Sequence, residues 1–117
     1  MDKHNILELT HHYSDAFNAR NLETIESLLS QNVRQVEPGF DLKGKDAVMN
    51  HIKNMYGNNS VLNFYATRIL ASEEDSFSLI EFELEIGNAE KLLLLRGTDH
   101  ITWNKHGEIE FLEAFVC

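Results

Sequence analysis

The sequence predicts an α+β fold, with helices covering one face of a curved, mainly antiparallel sheet. Two patterns carry this expectation. Apolar residues recur at helical spacing in most segments up to Gly57, and a period of two takes over after it. The 117-residue chain also shows no linker, internal repeat or low-complexity segment, so residues 1–117 are expected to form a single domain.

In "KHNILELTHHYSDAFNAR" the residues Ile6, Leu9, Tyr13, Ala16, Phe17 and Arg20 fall at helical spacing, which predicts an amphipathic helix with Tyr13 on its apolar stripe. Asn21 reads as the N-cap of a short second helix, "LETIESLLS", with Leu22, Ile25, Leu28 and Leu29 inward. "NVRQVEPGFDLKG" has strand character, interrupted by the chain's single proline. Pro38 removes a backbone donor and biases Glu37 towards an extended conformation, so the strand should end or bend there. A third helix fits "KDAVMNHIKNMYG", with Ala47, Val48, Ile52, Met55 and Tyr56 inward and Gly57 as its stop.

Four strands follow: "VLNFYATRILA", "DSFSLIEFELEIG", "KLLLLRGTDHITWN" and "EIEFLEAFVC". The second changes phase, with Phe77 and Leu79 odd but Phe82, Leu84 and Ile86 even, as a β-bulge at Leu79–Ile80 would produce. "NKHG" reads as a hairpin turn. Tyr65, Ile69 and Ile80 are expected on the sheet face that the helices leave uncovered, which predicts a homodimer.

The third of these strands poses the functional question. Its odd positions, Leu93, Leu95, Gly97, Asp99, Ile101 and Trp103, form the inward face, and one of them is a carboxylic acid. Burying an ionised carboxylate without partners is costly, so Asp99 is either satisfied by a buried donor or placed there for chemistry. Taken alone, Tyr13 reads first as an ordinary core tyrosine and Glu37 as a solvated loop acid. Should the three converge on one cavity, the chemistry is coherent: a carboxylate removes a proton next to a carbonyl, while a phenol and a neutral carboxylic acid donate hydrogen bonds to the enolate oxygen.

"HYSDAFNARNLETIESLLSQNVRQVEPG", "LKGKDAV" and "TDHITW" together resemble the ketosteroid isomerase pattern within the nuclear-transport-factor-2-like superfamily, over nearly the whole chain. The resemblance implies a cone-shaped fold of three N-terminal helices on a curved sheet, a layout shared with SnoaL-like polyketide cyclases, dehydratases, epoxide hydrolases and non-catalytic binders. It implies oxyanion-hole roles for Tyr13 and Asp99 and the role of base for Glu37. It also adds dimer pairing through the sheet. This sequence departs from the pattern in carrying Glu for Asp at the base, Ile52 in place of a supporting tyrosine, and His51 where an apolar ring is usual.

The expected function is cofactor-independent proton transfer alpha to a carbonyl of an apolar small molecule. Phe17, His51, Met55, Leu95, Ile101, Leu112 and Ala114 are the expected substrate-binding residues. The alternatives are a non-catalytic hydrophobic-ligand or interaction module of the same fold, and a dehydratase or hydrolase that activates water. No metal site is expected: His4, His11 and His12 lack a carboxylate to complete a ligand set, and adjacent histidines point apart. The lone cysteine, Cys117, excludes a disulfide framework. A net charge of -9 without a Lys/Arg cluster argues against nucleic-acid or anionic-membrane partners. Leu92 to Leu95, the longest apolar run, is too short to span a bilayer, and no leader pattern opens the chain, so a cytoplasmic location is expected.

Overall fold

The computed structural model describes residues 5–58, 61–88 and 91–116. Lys3 and His4, at the start of the first helical segment, and Cys117, at the end of the last strand segment, lie outside the described residues. The elements run α1 (Ile6–Asn18), α2 (Leu22–Leu28), β1 (Leu29–Glu37), β2 (Phe40–Lys43), α3 (Lys45–Gly57), β3 (Val61–Ser72), β4 (Phe77–Asn88), β5 (Lys91–Trp103) and β6 (Ile109–Val116). The fold is α+β. Its sheet is mainly antiparallel with one parallel pair, and α3 follows the β1–β2 hairpin, so the three helices fall in the first half of the chain with a strand pair between the second and the third. The strand order is β2-β1-β6-β5-β4-β3, and β1 runs parallel to β6 while the other neighbours are antiparallel.

Side-chain caps start both N-terminal helices. Asn5 accepts from the Glu8 amide at the head of α1, and Asn21 accepts from the Thr24 amide at the head of α2. Glu73, from the β3–β4 turn, accepts from the Ile6 and Leu7 amides, so the start of α1 is tied to the sheet. The core lies between helices and sheet, with Ile25, Val33, Val48, Ile80, Ile101 and Ile109 fully buried. No helix among the described residues is long and apolar enough to cross a membrane.

Period two holds along β5: Asp99, Ile101 and Trp103 are buried and Leu95 is partly so. Leu93 departs from it and is exposed, as are Leu92 and Leu94. The bulge expected at Leu79–Ile80 is absent, and β4 pairs with β5 in continuous register from Phe77 to Asn88. The irregularity lies in β3 instead, where the pairing jumps from Ala66↔Phe82 to Arg68↔Glu81. Ser78 explains the misreading. It is fully buried on the even face, between the Thr10 hydroxyl at 2.7 Å and the Trp103 indole N–H at 2.9 Å, so a polar residue continues the inward row. Ile80, expected outward, therefore faces the core; Tyr65 is exposed, and Ile69 is partly buried against the core.

At Gly97 a Cβ atom would press on the Phe115 carbonyl oxygen and come within 2.7 Å of Phe82 Cζ. Gly97→Ala is expected to destabilise the fold by about 1–3 kcal/mol, read as a lower urea midpoint with an unchanged slope. A midpoint equal to wild type would mean that β6 moves freely away from β5.

Candidate active site

Three elements meet at one cavity. Tyr13 comes from the middle of α1, Asp99 from the middle of β5, and Glu37 from the last position of β1, immediately before the Pro38-Gly39 turn. Asp99 is held in register by Ile80 of β4 on one side and Ala114 of β6 on the other. Glu37 pairs with Phe40 across the turn, so the proline sets where its side chain leaves the sheet.

The cavity encloses about 480 Å³, and Tyr13, Glu37 and Asp99 all line it. Of the residues proposed as its walls from sequence, Phe17, Met55, Leu95, Leu112 and Ala114 are in the lining. Ile101 is not: it is fully buried in the core. His51 also stands outside the lining and instead contacts Glu37, with Nε2 2.9 Å from Oε1. Sequence reasoning missed Gln35, Pro38, Phe40, Phe64, Phe82, Leu84, Ile86 and Val116 as lining residues. The even-numbered phase of β4 carried a signal for Phe82, Leu84 and Ile86; Gln35 offered none, because a buried glutamine reads from sequence as a solvated one.

An aromatic train builds one wall. The ring of Phe17 lies 6.1 Å from Tyr13, 5.6 Å from Tyr56 and 5.0 Å from Phe64, and Phe64 lies 4.9 Å from Phe82. The Tyr56 hydroxyl donates to the Phe17 carbonyl oxygen at 2.6 Å, and Asn18 accepts from the Phe64 amide at 3.0 Å, which fixes the C-terminal end of α1 and hence Tyr13 one turn earlier.

Electrostatics follow from this apolar enclosure. Burial, reinforced by the charge of Glu37, pushes the Asp99 carboxyl from an ordinary 3.8 up to about 7. Burial also raises the Tyr13 phenol well above its usual range, followed by the influence of Asp99, Tyr56 and Glu37. Among the described residues neither the Tyr13 hydroxyl nor the Asp99 carboxyl makes a hydrogen bond to the protein, and no fully buried side-chain polar atom lacks a partner. Both polar ends therefore reach the cavity as donors that a ligand can use. Glu37 is different: its second oxygen accepts from the Gln35 amide at 3.1 Å. Among the described residues, Tyr13, Glu37 and Asp99 are the only ionisable ones in the lining, and no cationic side chain is among them. Nor do the described residues contain a group of three or more His, Cys, Asp or Glu able to hold a metal ion.

The family model for the SnoaL-like domain matches residues 10–111. No curated protein matches the chain. Among solved structures, a candidate ketosteroid isomerase from Kribbella flavida is similar at 19% identity and a TM-score of 0.82, covering 96% of this chain and 77% of that one. A candidate polyketide cyclase from Xanthomonas campestris pv. campestris is similar at 17% identity and a TM-score of 0.80, over 94% and 88% of the two chains. An LEH-like epoxide hydrolase from M. tuberculosis is similar at 15% identity and a TM-score of 0.79, over 96% and 82%. Likeness at these identities establishes a shared fold, on which neighbours of different chemistry are built.

Proposed function

This chain belongs to the SnoaL-like domain family, and we propose that it is a small enzyme moving a proton at the carbon alpha to a carbonyl in an apolar, uncharged molecule. The observation that carries the reading is that a carboxylate, a phenol and a protonatable carboxyl with a raised pKa line one apolar cavity. Glu37 takes the alpha proton and the carbonyl becomes an enolate. Tyr13 and neutral Asp99 donate hydrogen bonds to the enolate oxygen, and the proton returns from Glu37 to carbon. The net result is isomerisation or exchange, with no atom lost or gained. Among the described residues the lining offers no cation to balance an anionic substrate, which favours neutral ketones and enones.

Deuterium incorporation into a panel of cyclic enones, read by mass spectrometry, tests this. Solvent deuterium is expected at the alpha or vinylogous position of at least one member. Phenols, which imitate the enolate, are expected to bind as phenolates through charge-assisted hydrogen bonds to Tyr13 and Asp99. Tight phenolate binding with no exchange in any ketone would instead make this cone a hydrophobic-ligand-binding module.

We propose in addition that the chain forms a homodimer through the outward sheet face. Phe77, His100 and Phe115 meet edge to face across it with centroid separations of 5.9 and 5.0 Å; Phe115 is itself exposed, as are Tyr65 and Leu94. Light scattering at micromolar concentration is expected to give twice the 13.5 kDa chain mass, and a monomer would leave that face without a partner copy.

A further inference from the structure

Glutamate as a base carries one more rotatable bond than aspartate, and each freely turning bond spreads the carboxylate over positions from which proton transfer fails. In this protein both oxygens of Glu37 are held, and by different elements. Oε1 lies 2.9 Å from His51 Nε2 on α3, and Oε2 accepts from Gln35 on β1 at 3.1 Å. An ionised carboxylate only accepts, so His51 is the donor in its contact. His51 is itself held: its ring lies 4.8 Å from that of Phe40, the hairpin partner of Glu37, and its side chain is only 19% exposed. His51 does not itself line the cavity; it meets the lining at Glu37 and at Phe40, and of these two only Glu37 takes part in the proposed chemistry.

From this geometry we propose that His51 is a positioning residue: together with Gln35 it clamps the longer base side chain in the orientation that faces the cavity. This rests on the proton-transfer reading above for its catalytic consequence, though not for the clamp itself. The clamp compensates for the added methylene. It leaves each oxygen with a lone pair for substrate while removing the torsional freedom that would blur its aim.

Two measurements test the proposal on the 117-residue chain. Nitrogen-15 spectra of the histidine rings are expected to show His51 protonated at Nε2, with a resonance that moves in Glu37→Gln. A bare Nε2 in wild type overturns the clamp whatever the turnover. In deuterium exchange, His51→Leu is expected to lower kcat by about 10- to 100-fold with KM and phenol affinity nearly unchanged. His51→Gln, whose amide nitrogen can occupy the Nε2 position as a donor, is expected to recover most of that loss. Equal rates in His51→Leu and His51→Gln, or a raised KM at constant kcat, would overturn positioning and leave His51 as packing. A wild type that exchanges no ketone defeats the proton-transfer reading, and the spectra still decide the clamp.

Discussion

Glu37→Gln should lower the rate of deuterium exchange by about 10²- to 10⁴-fold, the usual contribution of a positioned general base. The amide has nearly the same shape as the carboxylate. Its oxygen can still accept one of the two hydrogen bonds that now come from His51 and Gln35, so the β1–β2 hairpin and α3 should remain packed. What it lacks is any capacity to take a proton from carbon. The cavity keeps Tyr13 and Asp99, so phenolate affinity should persist, and it should rise because the negative charge of Glu37 no longer opposes a second anion in the cavity. Exchange kinetics and phenol titrations on the same protein therefore move in opposite directions. Exchange unchanged in this variant would remove Glu37 from the mechanism, and a parallel loss of phenol binding would show that the side chain shapes the cavity.

Much of this candidate site is legible in local sequence patterns. Alternation along β5 placed Asp99 inward because a half-buried strand admits no other register, and helical spacing placed Tyr13 on the buried stripe of α1. Pro38 marked the strand end that carries Glu37. Contacts between distant residues were not legible. The parallel pairing of β1 with β6 joins residues nearly eighty positions apart, and no local period records it. Ser78 obscured the phase of β4 because its partners, Thr10 and Trp103, lie on other elements. Ile101 and Leu95 share a strand face, but only the three-dimensional cover over each decides which meets the cavity and which is sealed in the core. The His51–Glu37 contact needs the β1–β2 hairpin to lie against α3, a tertiary fact that neither residue announces.

Asp99 should make the protein less stable as pH rises towards neutrality, by an amount on the order of 4 kcal/mol over the full window. In the unfolded chain its carboxyl loses its proton near 3.8, whereas in the fold it holds the proton to about 7. Between those values the folded state binds one more proton than the unfolded state, so stability is greatest below about 4 and declines until the folded carboxyl also ionises. Other groups titrate across the same range, and the comparison that isolates Asp99 is wild type against Asp99→Asn in urea denaturation at several pH values. The amide is neutral throughout. The two proteins should differ least near pH 4, and the variant should become progressively the more stable of the two as pH approaches 7. Activity should follow the same proton: exchange by wild type should fall above about pH 7 as the donor to the enolate oxygen is lost, while Asp99→Asn runs slower but without that fall. Asp99→Leu, with no donor, should lose about 10²- to 10³-fold in exchange and its preference for phenolates. Glu37→Gln supplies the cross-check, because the charge of Glu37 is the second cause of the raised value and its removal should shift the stability window of Asp99 to lower pH. A difference between wild type and Asp99→Asn that stays flat from pH 4 to 8 would mean that Asp99 is ionised in the fold, and a carboxylate cannot donate to an enolate.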